Sequence, residues 1–150
     1  MKPVTSFALL SFNPQPHPFS PRICCQCGHQ SNREGIIALT LASSKAAETS
    51  QYIKTLLLNK TLDPVVDQAL SDCSDQYLDA VQQLGDASSE LLEDGRKDVR
   101  ASVKAGIAAA QSCENGFKES SGSEILVSRN AMFRQLCNNV LVINKLLEEK

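Results

Sequence analysis

The sequence predicts an all-α protein, an up-down-up-down antiparallel bundle of four helices with one disulfide between helices. From Ile36 onward, apolar residues recur at alternating steps of three and four, the spacing of a buried helix face. Short polar segments separate these stretches, and short connections make neighbouring helices antiparallel. Five of the six prolines precede residue 22. We therefore divide the chain into an extended Pro- and Cys-rich leader, residues 1–35, and a bundle, residues 36–150.

The first two helices are separated by a short turn. The first is predicted over residues 36–59. The second begins at Asp63-Pro64, because aspartate caps a helix start and proline suits the first helical position. It ends before Gly95, where glycine favours a helix cap. The expected buried faces are Ile36, Leu39, Ala42, Ala46, Ile53 and Leu57, then Val66, Leu70, Cys73, Tyr77, Ala80, Leu84, Ala87 and Leu91.

The third and fourth helices flank a serine-rich linker, residues 120–123. The third is predicted over residues 96–117. Ser121 and Glu124 are candidates for a capping box at the start of the fourth. The expected buried faces are Val99, Val103, Gly106, Ala110, Cys113 and Phe117, then Ile125, Met132, Leu136, Val140, Ile143 and Leu147.

Cys73 and Cys113 lie on the facing seams of neighbouring helices. Cys73 is 22 residues before Gly95 and Cys113 is 18 residues after it. At ~1.5 Å per residue, their axial levels differ by only ~6 Å. A disulfide closing this loop would contribute roughly 4 kcal/mol and would imply an oxidising compartment. The alternative is two buried free thiols.

The other cysteines do not form a recognisable site. Cys137 lies near the seam of the fourth helix and is expected to be a small buried residue. Cys24, Cys25, Cys27 and His29 are ligand types that suit zinc, but their spacing matches no two-plus-two arrangement. We predict no metal site.

Composition and motifs exclude several function classes. The net charge is -2 and tryptophan is absent, so neither phosphate binding nor base stacking is favoured. No apolar run approaches the ~20 residues of a membrane span. Both histidines lie in the leader, and the chain has no Gly-rich phosphate loop. We predict a protein that is not an enzyme, needs no cofactor, and works by binding another protein.

Several segments resemble the plant pectin methylesterase and invertase inhibitor family. Cys73, Tyr77 and Ala80 match its Cys-x-x-x-Tyr-x-x-Ala signature, and residues 41–46, 112–117 and 136–147 are also similar. The resemblance covers residues 36–150. It implies a secreted four-helix bundle, in the extracellular space or apoplast, with a disulfide matching Cys73–Cys113. It also implies a 1:1 complex that blocks the cleft of a carbohydrate-active enzyme.

Residues 1–35 depart from the family pattern. Family members have a signal peptide followed by a helical hairpin that its own disulfide closes. A signal peptide is not clearly present here, and the cysteine spacing does not match the hairpin. Export and the hairpin are therefore not predicted by the leader itself.

The resemblance also bears on the target enzyme. Invertase inhibitors carry Pro-Lys-Phe between the second and third bundle helices, whereas residues 94–99 keep only Lys97. In the pectin methylesterase branch, solvent faces of the disulfide-linked helices meet the enzyme. We therefore predict an inhibitor of pectin methylesterase that limits pectin demethylesterification in the cell wall. The alternatives are an inhibitor of cell-wall or vacuolar acid invertase and a bundle without inhibitory activity.

The predicted enzyme-binding residues are Asp75, Asp79, Gln82, Ser112 and Asn115. An ordinary solvated helix face is an equally open interpretation of these residues.

Asn59-Lys60-Thr61 is a sequon for N-linked glycosylation at a helix end. Such triplets arise often by chance, and this one has meaning only if the chain is exported. Asn59 is accordingly a conditional candidate.

Overall fold

The computed structural model describes residues 23–94, 98–118, 120 and 122–149, with side chains from Asn32 onward except that of Asp94. These residues form α1 (Ile23–Leu57), α2 (Pro64–Asp94), α3 (Arg100–Gly116) and α4 (Val127–Glu148). Each helix packs against the next, and α1 also packs against α4. Within the described ranges, α1 and α3 lie diagonally across the bundle, as do α2 and α4. The predicted four-helix bundle is confirmed.

Helix α1 begins at Ile23, thirteen residues before the predicted start at Ile36. The prediction of an extended leader is therefore wrong for the backbone of residues 23–35. No proline follows Pro21 until the next turn, and an isolated glycine costs a helix only about 1 kcal/mol. Gly35 is buried, and a Cβ there would lie 3.1 Å from Leu91 Cδ2. Its small size lets α1 approach α2.

An aspartate accepts a backbone hydrogen bond at the start of both α2 and α3. As predicted, Asp63 caps α2, since its Oδ1 accepts a hydrogen bond from Val65 N at 2.8 Å. Helix α3 begins at Arg100, four residues later than predicted, after Val99, whose side chain supplies no cap. Asp98 Oδ1, one residue further back, accepts the Arg100 amide at 2.9 Å. The Arg100 side chain also binds Asp98, and these hydrogen bonds lower the pKa of the Asp98 carboxyl.

Helix α4 begins at Val127, after a turn in which Ile125 N donates to Gly122 O at 3.1 Å. Glu124 lies in this turn, three residues before the helix, so it is not placed to complete a capping box. Ser121, the other predicted member, lies outside the described residues. The fourth helix therefore starts without the side-chain cap that was expected.

The core confirms the predicted faces of α2 and α3 and, except for the partly buried Ile36 and Leu57, that of α1, but not that of α4. All eight predicted positions of α2 are buried. On α4, by contrast, Met132 is 51% exposed and only Val140 of the predicted face is buried. The face that α4 buries consists of Asn130, Phe133, Cys137, Val140 and Asn144, and Leu126 just before the helix is buried with it.

Phe133 is the largest apolar contribution of α4 to the core. Its ring is fully buried and lies 5.2 Å from that of Tyr77, centroid to centroid. It also packs on the backbone of α3, where a Cβ at Gly106 would lie 3.3 Å from Phe133 Cζ. The glycine thus allows α3 and α4 to approach closely around the ring.

A polar network crosses this core beside Cys113. The Tyr77 hydroxyl donates to Asn130 Oδ1 at 2.6 Å, and Asn130 Nδ2 donates to Cys113 Sγ at 3.8 Å. Burial is the main cause that raises the pKa of Tyr77 above its usual value. Burial likewise raises the pKa of the free Cys137 thiol to about 12. Cys137 is therefore neutral at physiological pH, as expected of a buried structural residue.

Candidate enzyme-binding surface

A disulfide joins Cys73 of α2 to Cys113 of α3, with Cα atoms 4.9 Å apart. The predicted bond is confirmed, and the alternative of two free thiols is wrong. Both residues are 1% exposed, so the bond lies inside the bundle and not on its surface. It holds two neighbouring helices at a fixed separation.

A groove of about 630 Å³ lies directly over this bond, between α2 and α3. The two cysteines form its floor, and one wall comes from each helix. The α2 wall begins at the helix start and extends for about three turns. Its lining residues are Pro64, Val65, Gln68, Ala69, Asp72 and Gln76 of α2, and Ser112, Asn115 and Gly116 of α3.

Gln76 connects the two walls of the groove. Its Nε2 donates to Ser112 Oγ at 3.0 Å, while its Oε1 is buried and has no hydrogen-bond partner among the described residues. An unpaired buried carbonyl oxygen is costly, so the Gln76–Ser112 bond is made at the expense of the other end of the same amide. Nearby, Gln68 Nε2 donates to Asp72 Oδ1 at 2.8 Å. The groove thus offers acceptor atoms beside apolar residues at its entrance.

The structure gathers only part of the predicted binding face. Ser112 and Asn115 line the groove, whereas Asp75, Asp79 and Gln82 are exposed on the outer side of α2 and do not line it. Sequence reasoning missed the α2 wall, including Gln68, Asp72 and Gln76. Their positions beside Cys73 were a usable signal. However, the handedness of the bundle decides which flank of Cys73 meets α3, and periodicity does not specify it.

Helix α2 is unusually acidic. It contains eight acidic residues and no lysine or arginine. The seven whose side chains are described are all exposed. One side of the α2–α3 pair therefore carries a negative field that extends beyond the groove. The eight are Asp67, Asp72, Asp75, Asp79, Asp86, Glu90, Glu93 and Asp94.

Two further expectations concern metals and membranes. The side chains of Cys24, Cys25, Cys27 and His29 lie outside the described part of the chain. Within the part that is described, no group of three His, Cys, Asp or Glu residues is arranged to hold a metal ion. None of the described helices combines the length and apolar character of a membrane span.

Known proteins are similar to this chain in sequence and in fold. A family model described as plant invertase/pectin methylesterase inhibitor matches residues 18–143. The "Pectinesterase inhibitor" of Actinidia deliciosa is 27% identical over 137 residues, which cover 85% of this chain and 74% of that protein. The "Putative invertase inhibitor" of Platanus orientalis is 29% identical over 114 residues, 75% of this chain. The alignment spans 66% of the length of that relative, just under two thirds.

A solved structure agrees with the bundle described above. The crystal structure of a pectin methylesterase inhibitor from Arabidopsis thaliana superposes with a TM-score of 0.69, covering 86% of this chain and 89% of that one. Its sequence identity is 20%, so this likeness shows the fold alone. The family match covers most of the chain and includes residues 18–35, which the sequence resemblance had left out. The chain therefore belongs to the plant invertase/pectin methylesterase inhibitor family, whose members are inhibitors and not enzymes.

Proposed function

We propose that this protein inhibits a plant pectin methylesterase by binding it through one face of the bundle in a 1:1 complex. This α2–α3 face comprises the groove-lining residues together with Asp75, Asp79 and Gln82. The groove over the Cys73–Cys113 bond, whose walls are joined by the Gln76–Ser112 hydrogen bond, is the observation that carries the proposal. We further propose that the protein acts in the cell wall after export.

The α2–α3 face is suited to a partner because it is rigid before binding. The disulfide and the Gln76–Ser112 hydrogen bond hold the two walls together. Little conformational freedom is then lost on association, which favours affinity. Val65 is 58% exposed at the groove entrance and can be buried by an enzyme surface. An apolar contact surrounded by polar groups is the usual composition of a protein interface.

The choice of pectin methylesterase rests on one absent motif and one relative. Residues 94–99 lack the Pro-Lys-Phe sequence of invertase inhibitors and keep only Lys97, which lies outside the described residues. The similarity to the Actinidia pectinesterase inhibitor covers 85% of the chain. Acid invertase is the second candidate, because the Platanus relative named as an invertase inhibitor has a slightly higher identity of 29%.

Parallel inhibition assays distinguish these candidates. The full chain, folded under oxidising conditions, would be added to pectin methylesterase with pectin as substrate and to acid invertase with sucrose. We expect methanol release from pectin to fall, while sucrose hydrolysis is unchanged. Inhibition of invertase alone would identify acid invertase, and not pectin methylesterase, as the target. Failure to inhibit either enzyme, with the helical circular dichroism spectrum intact, would leave a bundle without inhibitory activity.

A pair of matched substitutions tests the α2–α3 face. Val65 at the groove and Val142 on α4 are both 58% exposed, and α4 lies diagonally across the bundle from α2. We expect Val65→Lys to weaken inhibition by about tenfold or more, because a lysine at the interface must be desolvated. Val142→Lys should leave inhibition unchanged. Equal inhibition constants for the two variants would place the interface elsewhere on the bundle.

The acidic character of α2 predicts that binding depends on salt. A helix with eight carboxylates and no basic residue favours a partner with a basic surface. We expect the inhibition constant to rise when ionic strength increases from ~0.02 M to ~0.2 M, because screening shortens the reach of these charges. The double variant Asp75→Asn/Asp79→Asn should show a smaller salt dependence. A constant that does not change with salt would contradict the electrostatic part of the proposal.

A further inference from the structure

The turn between α1 and α2 has a feature that enzyme inhibition does not use. Asn59-Lys60-Thr61 is the only Asn-x-Ser/Thr triplet in the 150 residues. It lies between the end of α1 at Leu57 and the start of α2 at Pro64. All three residues are exposed, as is Leu58 before them at 79%. The triplet is therefore accessible and outside the regular helices.

The conformation of this turn leaves the Asn59 amide nitrogen accessible. Asn59 Oδ1 accepts hydrogen bonds from Thr61 N at 3.1 Å and from Thr61 Oγ1 at 2.7 Å. A backbone N–H only donates, so the atom it meets must be the amide oxygen. Nδ2 is thus the other terminal atom, and no hydrogen bond holds it within the described residues. The threonine hydroxyl lies against the same amide.

A bulky substituent at Asn59 would not disturb the fold. Among the described residues the side chain bonds only to Thr61, two residues away. None of the fully buried core residues lies in this turn, where Leu62 is the residue that packs against the core. The following helix is capped independently by Asp63. Sugars attached here would extend into solvent from the end of the bundle, next to the exposed Leu58.

We propose that Asn59 is the attachment site of an N-linked glycan. Asn59 Nδ2 forms a bond to the anomeric carbon of an oligosaccharide carried on a polyprenyl diphosphate, the donor of the secretory pathway. The bond between that carbon and the diphosphate oxygen breaks, the lipid diphosphate leaves with the electron pair, and the nitrogen loses one proton. The modification requires export of the chain and is independent of which enzyme it inhibits.

Expression of the full chain behind a cleavable secretion signal in plant cells tests this site. We expect the secreted protein to migrate more slowly than its unmodified form and to lose that shift after treatment with peptide N-glycosidase. Mass spectrometry should then find aspartate in place of Asn59. Because the chain has one sequon, the shift has a single possible origin. A secreted chain with an unmodified Asn59 would overturn the proposal.

Variants of the triplet separate glycosylation from other modifications. Asn59→Gln and Thr61→Ala should each abolish the shift, while Thr61→Ser keeps the hydroxyl and should retain it. If secretion is too low to measure, translation into microsomes with protease protection supplies translocated chain for the same comparison. A shift that persists in Thr61→Ala, or an unmodified Asn59 in protected chain, would refute N-glycosylation there. Inhibition by Asn59→Gln should match that of the wild type, so a failed inhibition assay leaves this result unaffected.

Discussion

Replacing Cys73 by serine is expected to lower the free energy of unfolding by about 4 kcal/mol in non-reducing buffer. The bond to Cys113 joins residues 40 apart in sequence, and without it the unfolded chain gains the entropy of an open loop. A serine hydroxyl in the nearly inaccessible position of Cys73 would also need a hydrogen-bond partner. Urea denaturation followed by circular dichroism measures the change. A loss of this size is a large part of the 5–15 kcal/mol of a typical domain.

Reduction of the wild-type protein provides the control for this prediction. Dithiothreitol should destabilise the wild type by a similar amount and should leave Cys73→Ser unchanged. The double variant Cys73→Ser/Cys113→Ser should lose little more than either single variant, since one bond is removed in each case. A wild type whose urea midpoint is insensitive to reduction would show that the bond contributes nothing to stability.

The disulfide also bears on the proposed function, because it forms the floor of the groove. Once it is reduced, only the Gln76–Ser112 hydrogen bond and the surrounding packing hold the two walls together. The α2–α3 face would then lose part of its rigidity before binding. A protein that depends on this bond is suited to an oxidising compartment, in agreement with the proposed action in the cell wall.

The buried face of a helix could be predicted from the sequence where its core positions are apolar. It could not be predicted for α4, where some core positions are polar. On α2, the residues of the predicted face recur at steps of three and four, and all of them are apolar and buried. On α4, two core positions are occupied by Asn130 and Asn144. The apolar residues therefore predicted a neighbouring face, which includes the exposed Met132. Asn130 is compatible with the core because Tyr77 donates a hydrogen bond to it from another helix. Such a tertiary contact has no signal within α4 itself.

The candidate site was predictable to a similar degree. The register of Cys73 and Cys113 could be counted along the helices, and the bond is present. The groove wall could not be assigned, because Asp72 and Gln76 meet α3 only in one handedness of the bundle. The early start of α1 was missed for a different reason. The five prolines before residue 22 led to an extended leader as far as residue 35, but none of them lies within residues 23–35. A helix tolerates Gly28 and Gly35 at modest cost.

Phe133→Ala is expected to lower the free energy of unfolding by about 3–5 kcal/mol, whereas Met132→Ala should change it by less than about 0.5 kcal/mol. The two residues are adjacent on α4, but Phe133 is fully buried and Met132 is 51% exposed. Removing the ring would leave a cavity between Tyr77 and the backbone at Gly106, which has no side chain to fill it. Urea denaturation of both variants at one temperature measures the difference.

The comparison also decides the rotation of α4 in the bundle. If the apolar line through Met132, Leu136 and Ile143 faced the core, Met132→Ala would be the damaging change and Phe133→Ala the tolerated one. If Phe133→Ala is too unstable to measure, Phe133→Leu replaces it in the comparison. It keeps an apolar side chain and should lose less stability than Phe133→Ala. A larger loss of stability for Met132→Ala would indicate that α4 is rotated by about 100° from the position described here. In that rotation Asn130 could not accept the hydrogen bond of Tyr77. The buried Tyr77–Asn130 pair and the position of Phe133 therefore depend on the same rotation of α4 and are tested by the same measurement.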